Sequence, residues 1–148
     1  MKKYLLALTI LSSVCFQACK NDSSEIIFHE SHEPSRANVP FSDAVETDDL
    51  LFLTGQIGKD HKAGKLAEGG IEAETKQVIE NIKNVLEHHG LGLDNVVKCT
   101  VILKDINDFS AFNSVYTKYF TKKPARTTFA ASGLAGGASI EIDVIAAK

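Results

Sequence analysis

Between residues 71 and 86 the apolar side chains recur at helical spacing. Ile71, Thr75, Val78, Ile82, Val85 and Leu86 fall on one face and Glu72, Lys76, Glu80, Lys83 and Glu87 on the other, which predicts an amphipathic helix. Gly90 stands where a helix closes in the left-handed conformation, and His88 and His89 suit the negative end of the macrodipole. A second stripe, Phe109, Phe112, Tyr116 and Tyr119, predicts another helix, capped by Asp105 or Asn107 and stopped before Pro124. Elsewhere the period is two. Residues 26–29, 41–46, 50–54 and 96–104 read as strands, as do two terminal runs, Ala125-x-Thr127-x-Phe129 and Ile140-x-Ile142-x-Val144. Residues 30–40, with Pro34 and Pro40, read as a polar loop and residues 55–65 as a loop or hairpin. The predicted order is β-β-β-α-β-α-β-β, an α+β domain with two helices on one face of a mixed sheet.

Alternation then assigns faces in the terminal strands. Phe129, Ile140, Ile142 and Val144 are expected beneath the helices, and Arg126, Thr128, Glu141 and Asp143 on the opposite face. An uncovered sheet face that still carries aliphatic side chains invites self-assembly. In such an interface a guanidinium can clamp a carboxylate, and a glutamate can hold a water.

Composition bounds the rest. The chain has 148 residues, 44% of them hydrophobic, enough for one domain with a substantial core. A net charge of −3 argues against nucleic acid as the main partner, because phosphate binding needs a basic stripe. Lys2-Lys3, the apolar run from Tyr4 to Leu11, and Ala18 before Cys19 form an export signal. The apolar run is shorter than the roughly 20 residues a spanning helix needs. The block resembles a bacterial lipoprotein signal, with Cys19 as the lipidated residue. The expected organisation is a signal over 1–19, a tether over 20–25 and a folded domain over 26–148. The expected location is the cell envelope, lipid-anchored or periplasmic, or the cytoplasm if the signal is not functional; the lipid is the only expected membrane contact. Cys99 is then the one cysteine of the domain. It shares the face of Val97, Val101 and Leu103, as a small core residue would. His29, His32 and His61 belong to no Cys/His/carboxylate motif, and the adjacent His88 and His89 diverge on a helix, so no metal site is expected.

Several ordered blocks, "NVPFSDAV", "LLFLTGQIGKD", "NIKNVLEHHGLGLDNVVKCTVILKDINDFSAFNSVYTKYF" and "PARTTF" followed by a turn and "SIEIDVIA", resemble the Rid family of reactive imine and enamine deaminases, also called the YjgF family. The resemblance runs from about Ile27 to Ala147. It implies a chorismate-mutase-like domain that assembles as a homotrimer with active clefts between subunits, and a reaction needing no cofactor. By the same resemblance Arg126 binds the carboxylate of a 2-imino acid and Glu141 positions or activates water. Thr128, Phe41, Thr54 and Asn113 complete the substrate site. Phe41 stands where the family usually has tyrosine, Thr128 where many deaminating members have cysteine, and the turn "GLAGGAS" lacks a proline often found there. The implied partners are small 2-imino or 2-keto acids. Two functions follow: hydrolysis of 2-imino acids such as 2-iminobutanoate and 2-iminopropanoate to 2-keto acids and ammonia, or capture of small carboxylates by a non-catalytic trimer. Family members have been linked to RNA cleavage, for which the acidic balance offers no support.

Overall fold

The computed structural model describes residues 25–148; the expected signal, Cys19 and residues 20–24 of the tether lie outside that range. In chain order the strands and helices are β1 (Ile27–His29), β2 (Ala44–Glu46), β3 (Leu50–Leu53), β4 (Gln56–Ile57), β5 (Lys59–Asp60), β6 (Lys65–Leu66), α1 (Gly70–His88), β7 (Val96–Leu103), α2 (Phe109–Tyr119), β8 (Ala125–Ala130) and β9 (Ile140–Ala147). The main sheet runs β1-β2-β3-β9-β7-β8, with β4 also paired to β9, and β5 and β6 form a separate hairpin. Among the described strands only the β7–β8 pairing is parallel, as expected for strands joined through a helical crossover. The α+β architecture with both helices on one side is thus the one the pattern predicts, with the loop after Gly55 adding β4 and the small hairpin.

Helix α1 buries most of the stripe that predicted it, and α2 buries Phe112 and Tyr116 while Phe109 stays 38% exposed. Val78, Ile79, Ile82 and Leu86 of α1 and Phe112 of α2 are fully enclosed with Leu51, Cys99, Val101, Ile140, Ile142 and Val144 of the sheet. Gly90 closes α1 at φ 73°, and the Leu91 N–H donates to the Leu86 carbonyl at 2.9 Å, satisfying a carbonyl the helix would leave open. Asp105 accepts from the Asn107 N–H at 2.9 Å, starting the short 3-10 turn that leads into α2.

Three contacts make α1 the ruler for the end of the sheet. Asn81 donates to the carbonyls of Ile57 at 3.1 Å and Lys59 at 2.9 Å. Gly58 lets the helix approach, since a β-carbon there would lie 2.7 Å from the α-carbon of Glu74. The buried Glu74 carboxylate accepts from the Ser139 N–H at 2.8 Å and hydroxyl at 2.7 Å. Ser139 precedes β9, so the helix fixes where Glu141 begins its course.

Register corrects three expectations. A bulge between Val96 and Lys98 turns Val96 inward and leaves Val97 46% exposed, so Cys99 shares its face with Val96, Val101 and Leu103. Arg126 is paired with Cys99 and Thr128 with Val101, both strand partners being fully buried. Arg126 and Thr128 therefore face the helices, not the open side. Phe129, paired with Ile102, takes the open side and is 45% exposed. The apolar member of the alternation misled because both faces of this sheet carry apolar side chains. Across the open face run Phe28, Val45, Phe52 and Ile145 in one register row, with Glu141, Ile102 and Phe129 in another.

The histidines also depart from expectation. His29 Nε2 lies 2.7 Å from Glu46 Oε2, and the His29 and His89 rings are 4.5 Å apart. His88 lies beside His89 and stacks on His32 at 4.6 Å. Spacing along the chain could not show this, because the group joins β1, β2, the loop after β1 and the end of α1. Burial, with His29 and His88 nearby, pushes the His89 imidazole below its usual range.

Candidate active site

Arg126 sits on an aromatic seat. Its guanidinium carbon lies 4.6 Å from the Tyr116 ring centroid, 5.1 Å from Phe112 and 5.6 Å from Phe109. Rings placed i, i+3/i+4 along α2 present a continuous π surface, which attracts a cation. The helix stripe is thus both core and support. Among the described residues no carboxylate pairs with this guanidinium. It borders a cleft of about 550 Å³ with Asn113, Tyr116, Thr117, Phe120 and Pro124. Thr128 follows on the same side of β8, and its buried Oγ1 has no hydrogen-bond partner among the described residues.

Glu141 belongs to a second cleft, of about 330 Å³, with Arg36, Phe41, Thr54, Gly55 and His61. Thr54 is held in the β3–β4 link by its N–H to the Asp43 carbonyl at 3.0 Å. Phe41 lies in a loop ahead of β2, 50% exposed, so it walls the cleft without belonging to a strand as expected. Burial, then the nearby Asp143 carboxylate, pushes Glu141 above the ordinary carboxylate range. Its carboxylate occupies the space that a β-carbon on Gly55 would fill. Any side chain at position 55 would therefore displace the Glu141 carboxylate.

Arg36 is the residue that the pattern did not single out. Its Nη1 donates to Gln56 Oε1 at 2.7 Å, its Nη2 lies 2.9 Å from Asp43 Oδ1, and its guanidinium covers Phe41 at 5.7 Å. Composition held a signal: of 16 basic residues only Arg36 and Arg126 are arginines, and each borders one of the two clefts. A planar, permanently charged fork is kept for sites where lysine would not serve.

Arg126, Asn113 and Thr128 thus lie on the helix side, and Glu141, Phe41 and Thr54 line the other cleft. Cys99 is fully buried, receives the Tyr116 hydroxyl at 3.3 Å, and has its thiol pushed up by burial, so it takes no nucleophilic part.

A small α+β domain with two charged half-clefts and an apolar open sheet face is the class that these features define. The model of the family described as Endoribonuclease L-PSP matches residues 30–148. The chain belongs to that family, the Rid or YjgF family. A RutC family protein of Pyrococcus horikoshii is 44% identical over 125 residues, 84% of this chain and 98% of that protein. The 2-iminobutanoate/2-iminopropanoate deaminase of Capra hircus is 44% identical over 110 residues, 74% of this chain and 80% of the relative. The solved structure of the YjgF gene product of E. coli is 29% identical, with a TM-score of 0.76, covering 82% of this chain and 98% of that one.

Proposed function

We propose that the protein is a cofactor-independent imine deaminase whose active site forms between two copies, most simply in a homotrimer. The observation that carries this reading is the division of the charged residues. Arg126 lies unpaired in one cleft and Glu141 in another, on opposite sheet faces, so one substrate reaches both only where copies meet. The apolar rows on the open face supply a reason to assemble.

In this reading Arg126 binds the carboxylate of a 2-imino acid through two parallel N–H donors, with its aromatic seat limiting rotation. Asn113 and Thr128 line the same half of the site. Glu141 of the adjoining copy accepts a proton from water as the water oxygen bonds to the imine carbon. The imine nitrogen takes that proton to give the carbinolamine; Glu141 then takes the hydroxyl proton as C=O forms and passes it to nitrogen as the C–N bond breaks, so a 2-keto acid and ammonia leave. Orientation and one general acid/base suffice for an already electrophilic carbon. The deaminase relative supports the substrate class.

Hydrolysis of imines generated by an amino-acid oxidase tests the reading. Arg126→Ala and Glu141→Gln should each lower turnover about 100-fold or more, as loss of a charged clamp or a general base does. Wild-type rates in both would overturn it. The raised Glu141 sets the pH dependence. Its base form is required, so activity falls as pH drops through a midpoint above the ordinary carboxylate range, and Asp143→Asn moves that midpoint down.

The second reading, carboxylate capture without turnover, draws on the Arg126 seat together with Phe41 and Thr128, which lack the usual hydroxyl and thiol. Thermal stabilisation by 2-ketobutyrate with unchanged imine decay would favour it.

A further inference from the structure

We propose that His29, Glu46 and His89 form a binding site for one divalent transition-metal ion, zinc foremost. One ligand atom from each of the three lies within 4.8 Å of those of the other two. The sheet edge and the end of α1 deliver them. His29 is paired across the β1–β2 ladder with the buried Ala44, and Glu46 lies two residues along the same face of β2. His89 caps α1, held by its N–H to the Leu86 carbonyl at 3.0 Å. The group faces the helix side of the sheet edge, away from the open apolar face.

The donor set is chemically apt. Two imidazole nitrogens and a carboxylate oxygen are a familiar zinc combination that leaves a fourth position for water. Tetrahedral donors about 2.05 Å from a metal lie about 3.3 Å apart, so the 2.7 Å His29–Glu46 contact needs to open by only about 0.6 Å. Lys148 Nζ holds the other Glu46 oxygen at 2.9 Å, fixing the carboxylate as outer partners of a metal ligand do. All three residues are half-buried, so an ion can reach them from solvent.

A simple His29–Glu46 ion pair accounts for two of these groups and leaves the others unexplained. The His89 ring stands 4.5 Å from that of His29 and 5.4 Å from that of His88, a gathering of imidazoles the His29–Glu46 pair does not require. Around a metal ion the same rings turn lone pairs toward one charge. The His32–His88 stack lies beside the site as a wall.

Titration of the untagged full chain with zinc chloride, followed by calorimetry, tests the site. We expect one ion per chain, and visible ligand-field absorption when cobalt replaces zinc. His29→Ala and His89→Gln should each weaken zinc binding at least tenfold, while His61→Ala, outside the group, leaves it unchanged. Far-ultraviolet circular dichroism confirms that a variant is folded, and Glu46→Gln offers a third probe if His29→Ala is not. Absence of binding at micromolar zinc, or equal affinity in the folded variants, would falsify the site.

Discussion

Refolding a mixture of two inactive chains, Arg126→Ala and Glu141→Gln, is expected to restore imine hydrolysis. Each chain lacks one half of the site and keeps the other. If a site takes its arginine from one copy and its glutamate from the next, equal amounts assembling at random rebuild about a quarter of the sites. Neither variant alone rebuilds any. The expectation follows from register: Arg126 pairs with Cys99 on the helix side, and Glu141 pairs with Ile102 on the open side. Native mass spectrometry identifies mixed assemblies, and turnover is read on the same sample. Mixed trimers with no recovered activity would mean that both residues serve a site within one chain, contrary to the proposed arrangement.

The largest loss of stability is expected from Phe112→Ala. The ring is fully buried among both helices and the sheet, and truncating such a side chain costs about 3–5 kcal/mol. The melting temperature should fall by roughly 10 °C or more at matched protein concentration. Phe112 is also the middle of the seat beneath Arg126, between Phe109 at 6.2 Å and Tyr116 at 5.2 Å. Phe112→Leu retains much of the volume and loses the π surface. It is expected to keep most of the stability and weaken 2-keto acid binding. Calorimetric melting and 2-ketobutyrate titration on the two variants separate packing from cation recognition.

Much of the fold was legible because its burial is periodic. The α1 stripe and the β9 alternation are each enclosed on one side only, so sequence period and structure agree. β8 is where the reading inverted. Its apolar Phe129 belongs to the open face and its Arg126 to the helix side, where aromatic rings accept a cation that an aliphatic core would reject. Here the charge marks a cavity built on the helix side. The bulge at Val97 is a second loss, since the extra residue puts Val96 and Val97 out of step with the alternation that holds from Cys99 to Leu103. Phe41, Thr54 and Glu141 were nameable through the family resemblance, and Arg36 was not. The histidine group was invisible for another reason: its members come from separate segments of the chain, and no local spacing announces them.

The place of β9 in the sheet has a consequence for how the protein is made. β9 comes last in chain order among the strands of this sheet, yet it lies between β3 and β7 and also pairs with β4. Until it emerges, β1–β3 and β7–β8 are two separate ribbons with no shared hydrogen bonds in the main sheet. Closure therefore waits on the last strand of the sheet and is dominated by contacts distant in sequence, and such contacts slow folding. A nascent chain in this condition exposes β3 and β7 edges to chaperones or to other chains, and stays open for as long as residues 140–147 are withheld.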